Sequence, residues 1–434
     1  MSRKPVPNET PLEYILDFCA EFSRRMILCG ANIERIQMAV TRICHAYGLQ
    51  DVSISMLSTF VTLSARDTAG GYAQRQCAVG PAGIHLQQLK QLNDLSYRVV
   101  TKKPFPKRLR TLLDEASEVK RDYAGWQVLL ARLAAMTCLC IIFGGGLREL
   151  AAVLPVTALL HFLTLLASHS GMDRIIANAL IMFVAASAAL LFVLTGLSSR
   201  GPSILITVSM VVIPGIPLVN AVRNLLCGNE MNGILQIAKI TIETVALAAG
   251  IYLSLLLFGR SGNMSEAVVE TLDSPLLLIL LSFVASFCFG AVFRIPLRDL
   301  LWAGLGGLLT RVALILLSSV LDNRIFYMTL AALVASLYAE TLATVRRDPS
   351  TYFLYPAIIP LVPGNLFYYT IVGLYRHDAA MVASNAWDCL MALLGLSIGF
   401  AVSSTIANYV RRLRHRLLVK HSKPSEPVPE EEMV

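Results

Sequence analysis

The chain has 434 residues, of which 55% are hydrophobic and 15% charged, against about 25% charged in ordinary globular proteins. Residues 1–125 hold 17 Lys and Arg and 12 Asp and Glu, residues 126–410 hold 14 and 13, and residues 411–434 hold 6 and 4. This distribution excludes a single soluble domain, a collagen-like chain and a disordered one. It also places the net charge of +8 beside an apolar body rather than in a nucleic-acid-binding patch.

In chain order, residues 8–29 read as a helix ended by Gly30, and Asn32 is placed to cap a second helix ended by Gly48. Val52, Ile54 and Met56 alternate with Ser53 and Ser55, which predicts one strand over 51–66 and, after a turn at 67–71, a second at 72–79. Pro81 is expected to open a helix to about Arg98, followed by a stiff linker at 101–107 and a basic helix. The head is therefore a small α+β domain over 1–125. The apolar stretch 12–28 is interrupted by Glu13, Asp17, Glu21, Arg24 and Arg25, so it does not read as a signal peptide. The nine cysteines, together with His45 and His85, lack metal-ligand spacing, and no Gly-rich phosphate loop is present. The expectation is a non-enzyme with no catalytic residues, metal or cofactor.

A bilayer core needs about 20 apolar residues in a helix. Ten stretches qualify, at roughly 127–146, 150–168, 175–197, 202–223, 234–258, 274–293, 300–320, 325–343, 351–374 and 380–408. Basic residues cluster before the first (Lys102 to Arg121) and after the last (Arg411 to Lys423), so both ends read as cytoplasmic, which agrees with an even count.

The body repeats itself. Leu147-Arg148-Glu149-Leu150 returns as Leu297-Arg298-Asp299-Leu300, Pro202-Ser203 as Pro349-Ser350, and Val212-Ile213-Pro214-Gly215 as Leu361-Val362-Pro363-Gly364. The unit is five spans, at 126–260 and 273–410, with a charged tail at 411–434. An odd number of spans inverts the second copy, as in many secondary transporters. The expected fold is thus a polytopic α-helical membrane protein, two inverted five-helix repeats behind a soluble α+β head.

The Pro-Gly pairs fall mid-span at matching places. Proline removes a backbone donor, and broken helices in membranes are tolerated where they are buried in protein or line a polar cavity. A packing kink is the plainer reading of each. As a pair, Pro214, Gly215, Pro363 and Gly364 mark a binding site, with half-helix N-termini suited to a carboxylate. Asn220, Asn365 and Tyr368 lie one or two turns beyond. Lys239, Glu243, Arg311 and Asp388 are charges within spans, where charge is costly and usually faces a cavity or a partner. They are candidates for charge partners or proton coupling. Lys239 and Glu243 also have i,i+4 spacing suited to an ion pair on one helix.

Gly30-Ala31-Asn32-Ile33-Glu34-Arg35-Ile36, Arg42-Ile43, Ala46-Tyr47-Gly48-Leu49 and Thr62-Leu63-Ser64-Ala65-Arg66-Asp67 resemble the opening of the threonine/serine exporter (ThrE) family. Pro214-Gly215-Ile216-Pro217-Leu218-Val219-Asn220-Ala221 is similar to its proline-glycine segment. Residues 357–364 with Tyr368 look like its smaller C-terminal module, here fused to the first. The sequence departs from the family pattern at Asn32, Ile36 and Asn365. The resemblance implies a multi-pass inner-membrane exporter of threonine and serine driven by protons. Its partners would be a small molecule, protons and lipid, with no nucleic acid. Two-chain relatives point to a small dicarboxylate such as succinate instead. A membrane-anchored sensor or enzyme working through the head is the reading from another class. A homo-oligomer is left open.

Overall fold

The structure, a computed structural model, describes residues 10–80, 83–118, 123–197, 201–210, 215–226, 228–258 and 272–421. The head begins with α1 (Pro11–Leu28). Thr10 Oγ1 accepts from the Glu13 amide, the Glu13 carboxylate accepts from the Thr10 amide, and Pro11 occupies the first helical position, where no N–H is needed. α2 (Ile33–Ala46) starts at Asn32, whose Oδ1 accepts from the Glu34 amide. Gly30 turns the chain between them at φ +87°, a region open to glycine.

The strand expected over 51–66 is instead a hairpin of β1 (Gln50–Met56) and β2 (Phe60–Arg66), closed by the Leu57 amide donating to the Phe60 carbonyl. Leu57, Ser58 and Thr59 include no Gly, Pro or Asn, so the composition gives little sign of a turn. β3 (Tyr72–Ala78) completes an antiparallel sheet in the order β1-β2-β3, with α1 packed on β2 and β3. α3 (Leu86–Lys102) and α4 (Leu109–Ser117) follow. Pro81, expected to open α3, lies outside the described residues, and His85 caps that helix.

The body is helical throughout. Its first half is α5 (Gly125–Ile142), α6 (Leu147–His169), α7 (Arg174–Leu194), the short α8 (Gly201–Met210) and α9 (Gly215–Leu226), and α10 (Glu230–Phe258). The second half is α11 (Pro275–Val292), α12 (Leu300–Ser318), α13 (Arg324–Arg346), the short α14 (Ser350–Ala357) and α15 (Gly364–Arg376), and α16 (Ala379–His421). Among the described residues, eight helices are long and apolar enough to cross a membrane. α14 and α15 make a ninth if their 44° bend lies within one span. The protein is a multi-pass helical membrane protein. The expected fourth span, 202–223, falls on α8 and α9, and its break at Val212, Ile213 and Pro214 lies outside the described residues, as do residues 422–434.

Packing also recurs between the halves. α7 lies along α10, and α13 along α16. Gly250 of α10 sits against the Ala179 and Phe183 backbone, and Gly399 of α16 against the Thr329 and Leu333 backbone. Small residues of this kind let membrane helices approach closely, and dispersion then holds them.

The head is joined to the second half by one buried apolar cluster that runs from α1–α4 into α11–α14 and α16, while a separate cluster holds α5–α8, α10 and α15 together. A polar clasp adds to this. Lys90 Nζ of α3 donates to Asp299 (3.3 Å) and Asp348 (2.9 Å). Asp299, fully buried, also accepts from Arg346 Nη2 (2.7 Å) and the Tyr352 hydroxyl (2.8 Å). A buried carboxylate is tolerated only when paired and hydrogen-bonded in this way.

Candidate functional site: a charged cavity between head and membrane helices

α9 and α10 bring polar residues to a common face. Asn220 and Asn224 are one turn apart on α9; Gln236, Lys239 and Glu243 recur at three and four residues on α10. Asn224 Nδ2 donates to Gln236 Oε1 (3.1 Å), tying the two helices. Asn220 Nδ2 donates to the Tyr355 hydroxyl of α14 (2.9 Å), which donates to the Gly30 carbonyl of the head (2.9 Å). One chain of hydrogen bonds thus links both halves of the body to the glycine turn of the head. Asn232, buried at the start of α10, holds the β1–β2 turn, accepting from the Ser58 amide (2.9 Å) and donating to the Met56 carbonyl (2.6 Å).

These elements enclose a cavity of about 580 Å³, within the size range of small-molecule sites. Its polar wall carries Arg132 of α5, Arg174 of α7, Lys239, Glu243, Asn220 and Gln236; Asn32 and Ser58 come from the head. Glu243 is buried and faces Arg174, Nε to Oε1 3.9 Å. The i,i+4 pair read from the sequence is therefore replaced: Glu243 pairs across to α7, and Lys239 makes no ion pair among the described residues. Arg132 Nε is buried and has no hydrogen-bond partner among the described residues. Leaving such a donor unsatisfied is costly, and a ligand oxygen would relieve it. With Glu243 matched to Arg174, Arg132 and the exposed Lys239 make no ion pair among the described residues lining the cavity.

A second cavity of about 620 Å³ lies between the head and α13, α14 and α16, with Arg35, Arg42, Arg347, Asp94, Glu340 and Asp348 among its lining. Its charges are mixed.

The structure brings Asn220, Lys239 and Glu243 to the first cavity and leaves Pro363, Gly364, Asn365, Tyr368, Arg311 and Asp388 outside its lining. Gly215 opens α9; Pro214 is outside the described residues. Pro363 caps α15. Gly364 meets Met210 at the end of α8: a Cβ there would stand 2.6 Å from Met210 Cγ, so the second break packs on the end of α8. Asn365 is half-buried near that junction. Tyr368 is buried, edge-on to Tyr369, and its hydroxyl has no hydrogen-bond partner among the described residues. Arg311 Nε donates to Ser282 Oγ of α11 (2.8 Å), and Asp388 pairs with Arg324 Nη2 (3.3 Å), both away from the cavity. Sequence reasoning missed Arg174 and Tyr355. Arg174 had a signal: it recurs at offset 150 as Arg324, each the first residue of its helix.

A multi-pass helical protein with a charged, solute-sized cavity among its spans belongs to the membrane transporters by class. Residues 17–258 match the family described as "Putative threonine/serine exporter" (ThrE), and residues 278–406 the family described as "Threonine/Serine exporter, ThrE". The chain belongs to the ThrE family, as its sequence motifs suggest. It is 21% identical over 251 residues to a "Probable succinate transporter subunit YjjP" from Klebsiella aerogenes, a match that covers 56% of this chain and 94% of that protein. No solved structure matches.

Proposed function

We propose that the protein is a secondary exporter of small carboxylates across the bacterial inner membrane, and that the cavity beside Arg132 and Lys239 is its substrate site. The observation that carries this is the buried, unpartnered Arg132 Nε in a solute-sized cavity with two positive charges in excess. Two free cations favour a dicarboxylate, which agrees with the name of the Klebsiella relative. Threonine and serine are the second reading, favoured by the family's description and by Glu243, which would take an ammonium group in exchange for Arg174. The same exchange lets Glu243 carry the coupled proton.

Alternating access is supported by an inverted repeat. A 44° bend suits a broken span better than a returning hairpin, and five spans per half invert the second copy. The contacts with the head agree: it meets the N-terminal end of α10 at Asn232, while it shares a cavity with Ser404 toward the C-terminal end of α16. The basic residues at 102–121 and 411–423 put head and tail in the cytoplasm. The head over 1–125 then closes the cavity on the cytoplasmic side, and the contact of Gly364 with Met210 forms the pivot.

Counterflow in proteoliposomes loaded with succinate, threonine or serine tests this. Uptake of labelled succinate against internal succinate, competed poorly by threonine, is expected; exchange of threonine and serine alone would reverse the substrate order. Gly215→Leu and Gly364→Leu should each abolish exchange in protein that still reaches the membrane.

A further inference from the structure

The carrier reading leaves the far end of the body without a role, yet one polar feature there repeats the cavity. Arg174 opens α7 after a cap by Asp173, whose Oδ1 accepts from the Ile175 amide; Arg324 opens α13 after a cap by Asn323, whose Oδ1 accepts from the Ile325 amide. Arg174 reaches across to an acid on α10, Glu243, and Arg324 to an acid on α16, Asp388. The acid has moved by one turn. Asp388 stands nine residues into α16, where Lys239 stands nine residues into α10. Both pairs therefore bridge the same two helices of their half, the first within the head-side cavity and the second at the start of α13, away from the head. Position 240, an isoleucine in the cavity wall, corresponds to Cys389, half-buried and free.

We infer that the Arg324–Asp388 pair is the outer gate of the carrier and, once parted, the far-side site for the departing carboxylate: Arg324 exchanges Asp388 for the substrate. This rests on the carrier reading. When the body turns outward, the second half takes the arrangement the first half has now. A cavity then stands beside α13 and α16, with Arg324 and Asp388 in its wall and Cys389 exposed to it.

Cys389 supplies the readout. Cells carrying the full-length protein are treated from outside with a membrane-impermeant methanethiosulfonate, and Cys389→Ser gives the background. Arg324→Glu and Asp388→Lys should each raise the labelling rate of Cys389 about tenfold, the factor that about 1.4 kcal/mol makes in an equilibrium. The double swap should return it close to wild type. Unchanged labelling in the single variants, or a double swap as fast as either single, overturns the gate. Asp388→Asn, a near-isosteric change, serves if the reversed charges keep the protein from the membrane: a rise in labelling supports the gate and no rise overturns it. Failure of the carrier reading is separate, since it shows as absent counterflow of every carboxylate by the wild type.

Discussion

The two halves of the body share an order of helices but not a distribution of charge. In α5–α10, the ends facing the head enclose a cavity, and its cations outnumber its acids. In α11–α16, the ends facing the head are clasped to it: Lys90, Arg346 and Tyr352 hold Asp299, Lys90 also holds Asp348, an apolar cluster continues into the head, and the cavity left beside them carries charges of both signs. The same order of helices thus carries the clasp to the head in one half and a cavity with excess positive charge in the other. Apolar helices fix the architecture, and a few polar substitutions at equivalent positions assign the roles.

Removing the clasp breaks the comparison most. Lys90→Met leaves buried Asp348 and part of Asp299 uncompensated, and breaking a buried pair costs about 3–5 kcal/mol. A lower melting temperature in detergent and faster proteolysis between head and body are expected. Adding Asp348→Leu should recover part of the loss, because an apolar replacement removes the stranded charge. The contact between halves comes next. Gly364→Ala drives a Cβ into Met210, and overpacking costs about 1–3 kcal/mol; the same melt should show the loss, with partial recovery in Gly364→Ala combined with Met210→Ala. Tyr355→Phe removes the hydroxyl between Asn220 and Gly30, at about 1 kcal/mol per hydrogen bond lost. It should weaken substrate binding in a counterflow assay more than it lowers the melt.

The smallest effect is one of pH. His85 caps α3 by accepting the Gln88 amide at Nδ1, and burial, with Arg294 nearby, holds its pKa below the ordinary 6.5. The neutral form is thus favoured in the folded head. The stability it contributes is present above pH 6.5 and is lost as pH falls from there through the depressed folded value. Melts between pH 7.5 and 5.5 should show a decline that His85→Gln flattens.

Much of this was legible in the sequence because apolar length and turn chemistry are local. Spans over 175–197 and 234–258 coincide with α7 and α10 within a few residues, and Asn32 caps α2 as read. The hairpin turn at Leu57–Thr59 was missed because its residues continue the alternation of a strand. The polar partners were harder to read. Glu243 was visible as a buried charge, but its choice of Arg174 over Lys239 depends on how α7 crosses α10, which no single-helix spacing encodes. Lys90 lies among glutamines on an amphipathic helix, and its two acids are more than 200 residues away in sequence. That Arg132 lines a cavity follows from packing alone.

The central claim is that Arg132 receives a substrate carboxylate in the cavity beneath the head. Equilibrium binding of labelled succinate to purified full-length protein, wild type against Arg132→Gln, tests it directly. Losing a buried charged partner is worth about 3 kcal/mol, so Arg132→Gln should bind about a hundredfold more weakly at an unchanged melting temperature. Equal affinity in the two proteins, or no saturable binding by the wild type, would contradict it.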